Sequence, residues 1–178
     1  MNSLRYTRTA MTLHWLIALG IFIAFPLGLY MGDLKLSPMK LQLMSYHKWL
    51  GVSIFILVLI RLLWRASHRA PEALPMPRWQ SLVSQATHLA LYGLMIAIPL
   101  SGWLMSSAKG FTTVYFGVFP LPNLLEKSKE LGDSLEELHA VLNYVLLVLV
   151  GLHIAGALKH HFIDRDSTMS RMLPKLRK

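Results

Sequence analysis

The sequence predicts an all-α membrane protein, a four-transmembrane-helix bundle that forms a single domain over residues 1–178. Three observations predict this fold class. Of the 178 residues, 54% are hydrophobic, and the mean hydropathy is +0.45. Four apolar segments are long enough to cross a hydrocarbon core, which needs roughly 20 residues, and basic residues flank them. Because lipid offers no partner for unpaired backbone groups, such segments must be helical.

The four helices are predicted at residues 11–31, 46–64, 86–106 and 138–158. Pro26 and Pro99 fall inside the first and third helices, where neighbouring helices tolerate a kink. The first apolar run is long for a signal peptide, and no A-x-A-like cleavage site follows it, so we expect it to be retained. The longest connection, roughly residues 107–135, is predicted to face outward, with a short surface helix within residues 123–138.

The charge balance indicates orientation in a membrane. Lys and Arg number 18 against 9 Asp and Glu, a formal net charge of +9, which on its own suits either nucleic acid or a membrane. Because the basic residues flank apolar segments, we expect membrane lipid and no nucleic acid as a partner. Their bias predicts that both termini are cytoplasmic. The basic residues on that side are Arg5, Arg8, Arg65, Arg69, Arg78, Arg165, Arg171, Lys175, Arg177 and Lys178. The absence of cysteine excludes disulfides, thiolate metal sites and iron–sulfur clusters.

Histidines occupy matched depths in the predicted helices. Intramembrane histidine is costly and usually functional. His14 lies at the cytoplasmic start of the first helix, and His47 at the outer start of the second. On the fourth helix, His139 and His153 lie fourteen residues apart, about 21 Å along the axis, and two heptads keep them on one stripe. We therefore pair His14 with His153 on the inner side and His47 with His139 on the outer side.

Two imidazoles from different helices in each layer suit the two axial positions of a haem iron. Histidines also form structural hydrogen bonds between helices, and imidazole binds zinc or copper. Four histidines at matched depths disfavour a purely structural role, and a zinc or copper site would need three or four ligands close together. The sequence therefore predicts two haems stacked across the bilayer, with His14 and His153 as iron ligands of one and His47 and His139 of the other.

The same spacing places small and charged residues at the haem depths. Gly28 and Gly102 fall at the outer depth, and Gly51 lies one turn past His47, so all three are candidates for giving a haem clearance. Glycine also promotes close helix packing in membranes. Arg61 falls at the inner depth, where it would meet a haem propionate or act as a snorkelling interfacial anchor.

The remaining histidines have several possible roles. His160 lies seven residues past His153, where it could hydrogen-bond a quinone or relay its protons. Alternatively, His160 and His161 form a polar helix end at the lipid headgroups. His88 could contact the inner haem, a quinone or another helix, and His68 is expected to be an ordinary loop residue.

With these residues in view, the sequence resembles the prokaryotic cytochrome b561 family. The resemblance implies a four-helix bundle with two b-type haems in the bacterial inner membrane and the same ligand pairing. It extends to the membrane cytochrome subunits of nickel–iron hydrogenases and formate dehydrogenases. The C-terminal motif combines a ligand histidine, paired histidines and an Asp-x-Thr-x-x-Arg-Met-x-Pro ending. The matching stretches are TLHWL (12–16), YHKWLGVSIFILVLIRLLWR (46–65), THLALYGLMIAIPLSGWLM (87–105) and GLHIAGALKHHFIDRDSTMSRMLP (151–174).

For function, the resemblance implies electron transfer across the membrane between the quinone pool and an outer-side donor or acceptor. One type of member oxidises periplasmic superoxide and reduces ubiquinone; others serve a periplasmic redox partner as carriers, so the sequence leaves open whether this chain is an enzyme. The alternative is a membrane-anchor electron-transfer subunit of a larger dehydrogenase or hydrogenase. A non-haem protein would instead purify colourless.

An acidic cluster in residues 126–137 opposes uniformly positive steering of superoxide. The lysines that could steer it are Lys35, Lys40, Lys48 and Lys109.

Overall fold

Four long helices dominate the computed structural model, which describes residues 5–72 and 74–173. All four are long and apolar enough to cross a membrane, which confirms the predicted helical membrane fold. A short antiparallel ribbon joins the third and fourth helices, and one turn of 3-10 helix follows the fourth, at Met169–Arg171. The helices are α1 (Arg8–Gly32), α2 (Pro38–Ser67), α3 (Arg78–Ala108) and α4 (Lys129–Phe162), and the strands are β1 (Val114–Tyr115) and β2 (Phe119–Pro120).

Each helix extends beyond the range predicted from hydropathy. At the starts of α2 and α4 the reason is local capping, which hydropathy does not detect. The side chain of Ser37 accepts a hydrogen bond from the Lys40 amide, and Pro38 occupies the first turn of α2. In the same way, Ser128 caps the start of α4. The separate surface helix predicted within residues 123–138 is therefore wrong, because residues 129–138 form the first turns of α4.

The helices pack in sequence order, α1 against α2, α2 against α3 and α3 against α4. The core cluster is Ile17, Ile54 and Val58. Gly20 permits the close approach of α1 to α2, because a Cβ there would lie 2.9 Å from Cγ1 of Ile54.

The outer faces of the helices are apolar and uncovered. Only 6% of the most apolar 18-residue window of α4 is buried, and Leu89 of α3 is 75% exposed. A water-soluble domain would bury such surfaces, so these faces suit contact with lipid. We call the end where α1 begins and α4 finishes the inner end, and the opposite end the outer end, following the predicted orientation.

At the outer end, the ribbon of β1 and β2 lies against α2. Trp49 Nε1 donates a hydrogen bond to the Val114 carbonyl at 2.6 Å, and the hydroxyls of Ser53 and Tyr115 are 2.9 Å apart. The turn between the strands requires left-handed backbone at Phe116 (φ 49°) and Gly117 (φ 72°). These contacts hold the ribbon beside the outer part of α2, where His47 lies.

At the inner end, the segment after α4 folds back against the start of the bundle. Trp15 Nε1 donates to the Met172 carbonyl at 2.9 Å, and Arg171 Nη1 donates to the Glu72 carbonyl at 2.6 Å. The predicted cytoplasmic charges at Lys175, Arg177 and Lys178, and the Pro174 of the C-terminal motif, lie outside the described residues.

Candidate functional site

Two histidine layers lie between the helices, one toward each end of the bundle. In the inner layer, the ring centres of His14 on α1 and His153 on α4 are 6.2 Å apart. In the outer layer, those of His47 on α2 and His139 on α4 are 6.4 Å apart. The structure thus brings together both pairs that the sequence predicts, each from two different helices.

The spacing of both pairs suits a metal held between two imidazoles. A metal–nitrogen bond of about 2 Å and a nitrogen-to-centre distance of about 1.1 Å on each side place two opposed ring centres roughly 6.2 Å apart. The ring planes are inclined by 69° in the inner pair and 81° in the outer pair. At 6.2 and 6.4 Å the ring centres leave room for an iron between them, so the residues present fit a haem iron with two axial histidines.

Hydrogen bonds orient His139 in the outer layer. Its Nδ1 lies 2.9 Å from Oγ of Ser101 and 3.1 Å from the Ile98 carbonyl. Ser101 is 4% exposed, and its hydroxyl donates to the same Ile98 carbonyl. Since that carbonyl can only accept, the network assigns the proton to Nδ1 of His139 and leaves the lone pair of Nε2 for a metal. A partner on the second nitrogen is a regular feature of metal-binding histidines.

Glycines lie against the outer imidazoles and line the cavity beside them. A Cβ on Gly28 would lie 3.2 Å from Cε1 of His47, and one on Gly102 would lie 3.1 Å from Cε1 of His139. Gly28 and Gly102, which the sequence associates with haem clearance, therefore lie against the histidine rings. Gly51 lines a cavity that also includes both outer histidines, and a Cβ there would meet nothing within 4 Å. Of the three, Gly51 suits direct contact with a large planar group.

The inner layer has a third imidazole and a cation nearby. The ring centre of His88 is 5.3 Å from that of His153, so His88 lies beside the predicted ligand pair. Arg61 donates from Nη1 to the Ala10 carbonyl at 2.7 Å and from Nε to the Tyr92 hydroxyl at 3.2 Å. These bonds hold Arg61 between α1, α2 and α3, which is a more enclosed setting than a snorkelling anchor requires.

The two histidines at the end of α4 have different surroundings. His160 Nδ1 lies 2.7 Å from Asp166 and 3.2 Å from Asp164, whereas His161 is exposed and its ring contacts Phe162. Partial burial by itself would raise the pKa of Asp166, but hydrogen bonds from Thr168 and His160 outweigh it and lower that pKa. Asp166 therefore stays ionised, and its carboxylate holds the His160 ring through a short hydrogen bond.

The outer-side lysines are not equivalent. Lys109 pairs with Glu136 and Asp133. Burial alone would lower the pKa of Lys109, but these ion pairs outweigh burial and raise that pKa. They also cancel the charge of Lys109 at a distance. Lys48, next to His47 in sequence, donates to the Phe111 carbonyl at 3.2 Å, a neutral partner that leaves its positive charge uncompensated there.

Sequence reasoning missed the groups that support the histidines. Ser101 and Ile98 at His139 were not singled out, nor was Asn143, whose amide donates to the His139 carbonyl at 2.7 Å. Tyr92 at Arg61 was also missed. Two of these, Ser101 and Asn143, are polar residues within otherwise apolar helices, a pattern that could have marked them.

Fold and site together define a class, a multi-pass membrane protein whose helices hold paired imidazoles, as membrane cytochromes b do. Comparison with known proteins gives the family. Residues 5–175 match the family described as prokaryotic cytochrome b561. The chain therefore belongs to the prokaryotic cytochrome b561 family of membrane electron-transfer proteins, for which b-type haem is the implied cofactor.

Three relatives align with nearly the whole chain. Cytochrome b561 homolog 2 of Escherichia coli (strain K12) is 38% identical over 173 residues, 96% of this chain and 92% of the relative. The probable superoxide oxidase CybB of Yersinia pestis is 28% identical over 181 residues, 97% of this chain and 98% of the relative. Cytochrome b561 homolog 1 of Escherichia coli (strain K12) is 29% identical over 175 residues, 96% and 98% of the two chains.

Proposed function

We propose that this protein is a two-haem cytochrome b that carries electrons across the bacterial inner membrane, from superoxide at the outer end to ubiquinone at the inner end. One observation carries the proposal. Two histidine pairs, with ring centres 6.2 and 6.4 Å apart, occupy separate layers of one bundle. A single pair would serve one membrane face, whereas two layers can link both.

The haem groups, when bound, would supply one-electron redox chemistry, and the protein supplies ligation, orientation and electrostatics. His14 and His153 would hold the inner group, and His47 and His139 the outer one. The hydrogen bonds of His139 to Ser101 and Ile98 keep that imidazole in one tautomer. Arg61 places a positive charge near the inner pair, where it can meet a propionate.

At the outer end, Lys48 supports an anionic donor. Its charge is not cancelled by a carboxylate in the way that the charge of Lys109 is, and it lies next to His47. Two superoxide anions each give up one electron and leave as two O₂ molecules. The name of the Yersinia pestis relative, a probable superoxide oxidase, supports the choice of donor.

At the inner end, the His160–Asp166 pair supports proton delivery to ubiquinone. Reduction to ubiquinol takes the two electrons and two protons. His160 Nδ1 lies 2.7 Å from the Asp166 carboxylate, which orients the ring, and an imidazole can both accept and donate a proton. His161 and His88 remain further candidates for quinone contact.

The test is stopped-flow mixing of the purified holoprotein with superoxide, with and without a short-chain ubiquinone, after the haem content per chain has been measured. We expect two haem b per chain, rapid reduction by superoxide and reoxidation that requires quinone. One haem per chain would overturn the two-haem proposal. Haem that superoxide does not reduce, but that accepts electrons from quinol, would rule out superoxide as the donor. Co-purification of a large redox subunit would then point to the anchor-subunit alternative.

A further inference from the structure

A basic and aromatic pocket lies at the inner end of the bundle, where α1 begins, α2 ends and α3 passes. The proposed electron transfer uses one residue of this pocket, Arg61, as a candidate propionate contact, and gives no role to Arg65 or Arg69. The basic and aromatic lining residues of the pocket are Arg61, Arg65, Arg69, His68, Trp64 and Tyr92. No carboxylate side chain contributes to the lining among the described residues, so three guanidinium groups share one concavity without a counter-charge there.

The arginines differ in their availability to a ligand. Arg61 is occupied by the Ala10 carbonyl and the Tyr92 hydroxyl. Arg65 lies over the ring of Tyr92, with its guanidinium carbon 5.8 Å from the ring centre, and Arg69 is exposed. A guanidinium held over an aromatic face keeps its hydrogen-bond donors for a planar or tetrahedral oxyanion. Arg65 and Arg69 are therefore the groups that can meet a ligand.

The start of α1 adds to the positive potential. Thr7 is its N-cap, and the Thr7 hydroxyl accepts from the Ala10 amide and from Trp64 Nε1, which fixes the helix end at the pocket. The N-terminus of a 25-residue helix carries a partial positive charge. The helix end and the arginines thus favour the same sign of ligand, an anion.

The pocket also borders the lipid-facing surface. Trp64 stacks on His68 with ring centres 3.8 Å apart and planes at 10°, and the neighbouring Leu63 is 71% exposed. Tryptophan at a helix end commonly lies at the headgroup level of a bilayer. An occupant would therefore meet cations on one side and membrane on the other, which suits a lipid better than a soluble anion.

We propose that this pocket binds the phosphate of an anionic phospholipid from the leaflet at the inner end, with Arg65 and Arg69 as the phosphate contacts. Basic pockets between transmembrane helices on the cytoplasmic side bind anionic headgroups in other membrane proteins. The proposal is independent of the electron donor and acceptor. It assigns no lipid contact to Arg61, which bonds the Ala10 carbonyl and the Tyr92 hydroxyl and is the candidate propionate contact.

The test compares the holoprotein with the double variant Arg65→Gln/Arg69→Gln and with a matched control, Arg78→Gln/Arg165→Gln. The control removes the same charge from the same end without altering the pocket lining. Each protein is incubated in neutral detergent with phosphatidylglycerol, phosphatidylcholine or inorganic phosphate. Retained lipid is counted by native mass spectrometry, the unfolding temperature is measured, and haem absorption verifies that each variant is folded.

We expect phosphatidylglycerol to bind and to raise the unfolding temperature of the natural protein and the control, with at least tenfold weaker binding to the pocket variant. Phosphatidylcholine should have little effect. If the control bound phosphatidylglycerol as weakly as the pocket variant, the effect would come from general charge, and the proposed site would be wrong. Full protection by inorganic phosphate, or equal binding of phosphatidylcholine, would overturn the anionic lipid as the occupant. If the pocket variant loses its haem, the single variants Arg65→Gln and Arg69→Gln take its place, and unweakened lipid binding in both overturns the proposal.

Discussion

The outer and inner histidine layers have similar ring spacing but different surroundings. In the outer layer, neutral groups position the imidazole of His139, namely the hydroxyl of Ser101 and the carbonyl of Ile98. In the inner layer, the neighbours are the Arg61 guanidinium and the third imidazole, His88. One layer is organised mainly by hydrogen bonds, and the other is biased by charge.

This difference bears on the direction of electron flow. A fixed positive charge stabilises the reduced state of a nearby redox centre, because reduction adds a negative charge. A hydrogen bond from Nδ1 makes an imidazole a more basic ligand and so favours the oxidised metal. Under the proposed function, both effects make the inner centre the stronger electron acceptor, so that electrons move from the outer to the inner end.

The largest expected effect comes from removing one ligand from each layer. His153→Ala should lose the inner haem and keep the outer one, and His139→Ala should do the reverse, because each histidine lies in one layer only. The pyridine haemochrome assay should give about half the natural haem content per chain for either variant, with different residual redox transitions. Full haem content in His153→Ala would show that the pairing is wrong.

The next effect concerns the charge at the inner layer. Arg61→Gln should lower the midpoint potential of the inner haem, because a stabilising cation is lost. The expected change is on the order of 1 kcal/mol, or about 40 mV for one electron. A potentiometric titration followed by absorbance should show one transition moving down and the other staying in place. Arg78→Gln, at the same end but outside the layer, serves as the control. A change in the midpoint potential of the outer haem alone would contradict the assignment of Arg61 to the inner layer.

A smaller effect is expected at the outer layer. Ser101→Ala removes one partner of His139 Nδ1 and leaves the Ile98 carbonyl, so the potential of the outer haem should rise by about 10–30 mV, a fraction of the value expected at Arg61. Ser107→Ala is a matched control, since Ser107 is also buried in α3 but bonds the Trp103 carbonyl. An equal shift in both variants would attribute the change to helix packing.

The smallest effect concerns the approach of superoxide, the proposed donor. Lys48→Gln should slow haem reduction by superoxide about twofold at low salt, an effect that fades as salt screens the charge. Lys109→Gln should have less influence on this rate, since Glu136 and Asp133 already balance Lys109. Stopped-flow rates at several ionic strengths measure both variants. A larger loss in Lys109→Gln would reverse this ranking of the two lysines.

Much of the site could be predicted because its histidines follow the helical period along the sequence. The fourteen-residue spacing of His139 and His153 keeps both on one stripe, and the structure places a partner histidine beside each. Ser37 and Ser128 are also residue types that commonly cap helices. Hydropathy nevertheless placed the starts of α2 and α4 several residues after these caps. The surface helix predicted within residues 123–138 failed for the same reason, since the polar first turns of α4 continue directly into its apolar part.

The sequence by itself determined the membrane class, the four helices and the depth of each histidine, because hydropathy and helical period are local properties. Only the tertiary structure decided which groups support them. Ser101 meets His139, Arg61 meets Tyr92, and the ribbon meets Trp49. These contacts depend on how each helix is rotated toward its neighbours. Lipid tails are as apolar as leucine, so hydrophobicity does not set that rotation, and it follows from close packing and interhelical hydrogen bonds.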